Sequence, residues 1–252
     1  MTIKSPLVLI HGFLSGPQYW REQVAAMSAQ LDVITICLKG FSHRSDETAA
    51  SSIEEFAQDV MDQLDEIGVE QFHLLGHSMG GMIAQQIAHQ YSGRLLSLVL
   101  YGTGPKGHLP GRFEHLDESI AKASTDNYQS SVVRAVKSWF KYEERSQKEI
   151  EASLALIEKV QFESYLNGLK SMRGWNGESY LKSYSMPCLV LWGDCDRSYP
   201  WDPQPFMLWR TITNCSLSVI PDCAHNVHLE KPDVFNLIVL DFLIGLEESR
   251  EL

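Results

Sequence analysis

The sequence predicts an α/β protein: a mostly parallel sheet of about six strands with an all-helical segment inserted into it. Three observations carry this expectation. Short apolar runs alternate with amphipathic helical patterns over roughly the first hundred residues. Strand-like runs then vanish between Gly104 and Ser183 and return at Met186. Finally, the run GHSMGG, Gly76 to Gly81, sits between an apolar strand pattern and a helical one.

Taken in order, Leu7–Ile10, Val33–Leu38, Phe72–Leu75 and Leu95–Leu100 are apolar runs of the kind strands show when both faces are covered. Between them, Tyr19–Ala29, Ile53–Ile67 and Met79–Gln90 have helical periodicity. Ser51 and Ser52 followed by Glu54 and Glu55 form a helix start, and Gly68 fits its end. The stretch from Gly104 opens with the loop GTGPKGHLPG and continues as helical segments at Phe113–Ala123, Tyr128–Tyr142, Gln147–Lys159 and Phe162–Met172. It is rich in aromatics: Phe113, Tyr128, Trp139, Phe140, Tyr142, Phe162, Tyr165 and Trp175. Most of these should pack the insertion, and some should line a pocket beneath it. The α/β pattern resumes with PCLVLWGD as a strand, Gln204–Thr211 as a helix, CSLSVIPD as a strand and Pro232–Leu246 as a closing helix. The chain therefore divides into a first core part, 1–103, a helical cap or lid, 104–183, and a second core part, 184–252.

Composition narrows the function classes. Hydrophobic residues make up 44% and charged residues 21%, ordinary for a globular protein. The net charge of −11 and the lack of a basic stripe disfavour nucleic acid and anionic lipid as partners. No apolar stretch approaches the ~20 residues of a membrane helix. The first residues, MTIKSPLVLIHG, carry too short an apolar run for a secretory signal, so a cytoplasmic location is expected. The five cysteines (Cys37, Cys188, Cys195, Cys215 and Cys223) show no metal-ligand spacing and are expected to be reduced. Cys195 and Cys223 are the pair that could meet. The expected partner is a small molecule, with the chain acting as a monomer or homodimer.

A serine on a strand–turn–helix has its Oγ pushed out at the end of a sheet, with the next N–H at a helix N-terminus. Ser78 is therefore the candidate nucleophile, and the Met79 N–H a candidate donor to an oxyanion. A hydroxyl needs a base, and the base needs a group that fixes its tautomer. The acid is sought in LVLWGDCDRSYP, where Asp196 comes first and Asp194 second. The base is sought in SVIPDCAHNVHLEKP, where His225 comes first and His228 competes. The second oxyanion donor should come from the loop after the first strand, where the Phe13 N–H follows His11 and Gly12.

Together, HGF at His11–Phe13, GHSMGG at Gly76–Gly81, GDCDRSYP at Gly193–Pro200 and AHNVHLEKP at Ala224–Pro232 make the chain resemble the α/β-hydrolase fold family. The resemblance implies a parallel sheet with a helical cap inserted late in it. It also implies the triad Ser78–Asp196–His225, an oxyanion hole from the Phe13 and Met79 amides, and no metal or organic cofactor. The family's first two strands have no room before Leu7. CLKGFSHRS departs from the family's usual D-x-P-G-x-G-x-S, with Cys37 in place of aspartate and Lys39 in place of proline. Ala224 replaces a common glycine. Asn226 stands where the carbon–carbon bond hydrolases of this fold often carry tryptophan.

The expected function is a serine hydrolase cleaving a small ester, lactone or thioester. The alternatives are carbon–carbon cleavage of a vinylogous diketo acid, with Arg173 or Arg112 binding its carboxylate, and a non-enzymatic ligand receptor. His11, His77, Trp139, Arg173 and Trp175 are the candidate substrate-binding residues.

Overall fold

The computed structural model describes residues 5–108, 114–123 and 128–250. Six strands form a single sheet: β1 (Leu7–Ile10), β2 (Val33–Ile36), β3 (Phe72–His77), β4 (Leu95–Tyr101), β5 (Cys188–Gly193) and β6 (Cys215–Ile220). Their spatial order is β2-β1-β3-β4-β5-β6 and every pairing is parallel. The direction of winding therefore reverses at the β1–β3 pair, where Leu9 stands beside Leu75. The crevice past the carboxyl ends of two such strands is where open α/β sheets bind ligands. The loops carrying Phe13 and Ser78 leave β1 and β3 at that point.

Side-chain alternation explains why these strands are apolar throughout. Leu7, Leu9, Leu75, Val99, Leu189 and Leu191 face one way, into a core completed by Trp20, Met27, Phe235, Val239 and Leu243. Val8, Ile10, Leu74, Leu98, Leu100 and Val190 face the other way, against Phe56, Val60, Met82, Ile83, Ile87 and Leu208. The first face is covered by α1 (Arg21–Met27) and the late helices. The second is covered by α2 (Ile53–Glu66) and α3 (Met79–Gln90).

α2 starts as expected. Ser52 Oγ accepts the Glu55 N–H at 3.1 Å, and Gly68 follows the helix at φ +71°. The expected helix from Tyr19 is instead a 3-10 turn, Pro17–Trp20, running into the shorter α1. β2 stops at Ile36 rather than Leu38 because the Leu38 N–H leaves the ladder to donate to His11 Nε2 at 3.1 Å.

Between β4 and β5 the described chain is helical: α4 (Leu116–Ala123), α5 (Tyr128–Ser138), α6 (Gln147–Ile157) and α7 (Phe162–Gly174). Phe113, the expected start of α4, and Arg112 lie outside the described residues. α5 ends at Ser138, short of Tyr142. There the Trp139 and Phe140 amides make tight turn bonds, and the Lys141 N–H donates to Glu230 Oε1 at 2.9 Å. After β5 come α8 (Gln204–Thr211), then β6, the four-residue α9 (Val227–Glu230) and α10 (Pro232–Arg250). α9 is too short to leave a periodic signal in the sequence. Among the described residues no helix is long and apolar enough to cross a membrane.

Candidate active site

Ser78 occupies a backbone conformation that β-carbon residues rarely adopt, φ 57° and ψ −118°. Such a residue costs of order 1–3 kcal/mol and persists only when its surroundings fix it. Here they do. The Ser78 N–H donates to Tyr101 O at 3.0 Å, and Ser78 O accepts from Gly81 N–H at 2.9 Å and Thr103 Oγ1 at 2.8 Å. A side chain at Gly76 would overlap the Gly80 carbonyl, and one at Gly80 would overlap the carbonyls of Ile10 and His11. The turn and the close approach of α3 to β1 therefore both require glycine.

The loop after β5 brings in Asp196. One carboxylate oxygen, Oδ1, accepts the Ser198 N–H at 2.7 Å and the Tyr199 N–H at 3.1 Å. The other, Oδ2, accepts His225 Nδ1–H at 2.8 Å, in a pair that is almost fully buried. The imidazole proton is thereby assigned to Nδ1, leaving the Nε2 lone pair for a second partner. The Tyr199 ring lies 5.6 Å from the His225 ring, nearly parallel. Asp194 is engaged differently: its Oδ1 accepts the Asp222 N–H at 2.8 Å and the Cys195 thiol at 3.1 Å. It ties the β5 loop to the β6 loop.

His228 faces away from this pair. Tyr101 OH donates to His225 O at 2.8 Å, so His228 Nδ1–H donates to the Tyr101 oxygen at 2.9 Å. Burial pushes the His228 imidazole down to about 3. His77 donates Nε2–H to the same His225 carbonyl at 3.2 Å, and burial holds it well below the usual histidine range. The loop carrying His225 is thus held from below by two side chains.

His11 shapes the β1 loop. Its Nδ1–H donates to Gly12 O at 2.8 Å, and its Nε2 accepts from the Leu38 N–H. Burial pushes its pKa down to about 4, so it is neutral. In a trans peptide the C=O and the following N–H point in opposite directions. Drawing the Gly12 carbonyl toward His11 therefore turns the Phe13 N–H the other way. Among the described residues neither Phe13 N–H nor Met79 N–H donates to a protein acceptor.

Ser78 and His225 border the same small cavity, together with Gly12, Phe13, Ser15, Tyr19, His77, Trp139 and Asn226. A second cavity, sharing Phe13 and Trp139 with the first, runs beneath α4, α5 and α7 and is lined by Leu14, Leu116, Ala135, Tyr165 and Leu169. Its polar lining is Glu114, Ser119, Ser131, Ser138 and Ser198.

Of the expected substrate-binding residues, Trp139 lines both cavities and His77 the first. The others differ from expectation. His11 is fully buried and spends both nitrogens on the backbone. Arg173 is half-exposed and pairs with Asp117 at 2.7 Å. Trp175 is packed in the core, its Nε1–H donating to Gln86 Oε1 at 3.1 Å. All five cysteines are free. Cys195 and Cys223 meet through their backbones, N–H to O at 3.0 Å, while their thiols point to Asp194 and Ile220 O. Among the described residues no cluster of three His, Cys, Asp or Glu is placed to hold a metal.

Sequence reasoning missed Tyr19, Ser15 and Glu230. Tyr19 OH donates to Ser153 Oγ on α6, a partner too remote in sequence to leave a pattern. Glu230 Oε2 accepts the Ala224 N–H at 2.7 Å while Oε1 holds Lys141, so one carboxylate joins the loop carrying His225 to the helical insertion. Its place in AHNVHLEKP, five residues past His225, was the available signal.

The family model described as alpha/beta hydrolase fold matches residues 5–232. A 2-hydroxy-6-oxononadienedioate/2-hydroxy-6-oxononatrienedioate hydrolase of Paraburkholderia phymatum is 29% identical, over 95% of this chain and 87% of that protein. The 3-oxoadipate enol-lactonase 1 of Acinetobacter baylyi is 23% identical, over 90% and 84%. Among solved structures, the enol-lactonase from Burkholderia xenovorans has a TM-score of 0.86 at 23% identity, covering 96% of this chain and 92% of that one. A thermophilic esterase from Thermogutta terrifontis, with malate bound, has a TM-score of 0.86 at 24% identity, covering 98% and 92%.

Proposed function

The chain belongs to the α/β-hydrolase fold family, and from that premise we propose that it is a serine hydrolase cleaving a small-molecule ester or lactone through an acyl-enzyme. The observation that carries this reading is the cavity shared by Ser78 and His225, with the other nitrogen of His225 bonded to Asp196. His225 Nε2 takes the Ser78 proton as Oγ attacks the carbonyl carbon. The Phe13 and Met79 amides receive the oxyanion, supported by the orientation of the Gly12 peptide and by the N-terminus of α3. His225 then protonates the departing alcohol oxygen. Water, deprotonated by His225, attacks the acyl carbon, and Ser78 leaves with the returned proton. Asp196 steadies the imidazolium formed in each half of the cycle.

The dioates named for the Paraburkholderia relative carry two carboxylates. A site for such a substrate should present cations, yet among the described residues no lysine or arginine lines either cavity. Arg173 is paired with Asp117, and Arg134 with Glu114 at 2.5 Å. Glu114 lines the second cavity and also binds Lys122 at 3.1 Å, so the cations nearest that cavity are already committed to carboxylates. These contacts favour an uncharged ester over a dianionic diketo acid.

The test is steady-state hydrolysis of a panel of p-nitrophenyl esters and simple lactones by the wild type and Ser78→Ala, with a dienoic diketo acid alongside. Turnover of uncharged esters, lost in Ser78→Ala while circular dichroism is unchanged, is the expected result. Equal hydrolysis by both proteins, or turnover of the diketo acid alone, contradicts the reading.

A further inference from the structure

Buried polar atoms are nearly always paired, so several unpaired ones facing the same space mark where a ligand's atoms belong. Among the described residues, Ser15 Oγ, His77 Nδ1, Asn226 Nδ2 and Asn226 Oδ1 are buried without a hydrogen-bond partner. Their residues are 3%, 3% and 0% exposed, and all line the cavity bordered by Ser78 and His225. Asn226 is the N-cap of α9, a position where asparagine ordinarily bonds the helix amides, yet its side chain makes no capping bond. Only its backbone is engaged, N–H to Trp139 O at 3.1 Å and O to the Leu229 and Glu230 amides.

The hydrogen-bonding inventory specifies the occupant. His77 Nε2–H is committed to the His225 carbonyl, so Nδ1 is an acceptor. Asn226 Oδ1 is another acceptor, Asn226 Nδ2 is a donor, and the Ser15 hydroxyl can be either. Two fixed acceptors ask for two hydrogens on the ligand, and the amide donor asks for a lone pair. The cavity is small and leaves room for roughly one water-sized group. Water has this inventory and this size, and hydrolysis of an acyl-enzyme requires one water beside His225.

We propose that Ser15, His77 and Asn226 form the seat of the hydrolytic water. The proposal rests on the triad reading above. In the deacylation step the seated water keeps one hydrogen on His77 Nδ1, turns the other from Asn226 Oδ1 to His225 Nε2, and gives that proton up as its oxygen bonds the acyl carbon. The tetrahedral intermediate then expels Ser78 Oγ, which takes that proton back. Asn226 Nδ2 or the Ser15 hydroxyl holds one lone pair of the water oxygen on the His225 side, where the alcohol has just left, and the other lone pair is free to attack.

The experiment follows p-nitrophenyl acetate with the wild type, Asn226→Leu and Ser15→Ala. It records the pre-steady-state burst, steady-state kcat, and the ratio of methyl acetate to acetate formed in added methanol. Asn226→Leu keeps the branched shape and removes the polarity, and Ser15→Ala is a second, milder variant should the first fail to fold. The expected result is a burst rate within about twofold of wild type, kcat lowered about tenfold or more, and a methanol-to-water partition ratio raised about threefold or more. A merely structural role would slow burst and steady state together and leave the partition ratio unchanged. That outcome, or no change in either variant, overturns the proposal. If the wild type forms no acetyl group on Ser78, the triad reading itself fails and this proposal falls with it.

Discussion

Ser78 depends on two glycines and Asp196 on two amides, and these dependences can be tested one residue at a time. Gly76→Ala places a methyl group against the Gly80 carbonyl, so the elbow must shift. The expected outcome is a loss of about 2–4 kcal/mol in urea unfolding together with activity. Asp196→Asn replaces an acceptor of His225 Nδ1–H with a group that can present N–H to it, favouring the wrong tautomer. Turnover should fall by roughly 10³–10⁴-fold with thermal stability little changed. A fall of less than tenfold would mean that Asp196 does not orient the base. Much of this geometry was legible because chemistry confines it to motifs: GHSMGG, GDCDRSYP and AHNVHLEKP are contiguous, and each follows a strand. Separating Asp196 from Asp194, or His225 from His228, from the residues alone was harder, because each pair differs only in which way a loop turns. Arg173 and Trp175 illustrate the limit. Nothing local distinguishes an arginine bound to Asp117 from one aimed into a pocket.

The elements show the same division. Strands β1, β3, β4 and β5 are buried on both faces and read as continuous apolar runs, so they were found within a residue or two. The end of β2 was not, because there the ladder gives way to a specific contact, Leu38 N–H to His11. α9 and the 3-10 turn at Pro17–Trp20 are shorter than any periodicity can report. How the helical insertion meets the core is also invisible to pattern, since it rests on pairs far apart in sequence: Tyr19 with Ser153, Asn226 with Trp139, and Glu230 with Lys141. Glu230→Ala leaves the Lys141 and Ala224 amides without their acceptor. It should cost about 1–3 kcal/mol and lower kcat, because the loop carrying His225 loses one of its ties to the segment that follows α5. Chemical denaturation and steady-state kinetics on the same variant check both effects. An unchanged kcat would show that the tie does not position the base.

At the scale of the whole molecule, a cluster of neutral histidines under the sheet's carboxyl end makes stability depend on pH. His11, at about 4, His228, at about 3, and His77, well below its usual range, are all depressed chiefly by burial. In the unfolded chain they titrate near the ordinary value of ~6.5. Between that pH and about 4 the unfolded state therefore binds more protons than the folded state, and stability rises with pH. Acidification from pH 7 should leave stability level until about 6.5 and then lower it by up to about 4 kcal/mol per pH unit from these groups. Urea unfolding at a series of pH values reads this slope. His228→Gln should reduce it by about 1.4 kcal/mol per pH unit, and an unaltered slope would mean that His228 is not held neutral. The same buried network supports the loop bearing His225, which links the cost of acid to the integrity of the proposed catalytic centre. Covalent labelling with a fluorophosphonate, read by intact mass and peptide mapping, tests whether Ser78 is the nucleophile of that centre. One adduct is expected, on the peptide containing Ser78, formed in parallel with loss of ester hydrolysis and absent from Ser78→Ala. An unlabelled wild type, or an adduct elsewhere with hydrolysis retained in Ser78→Ala, would contradict it.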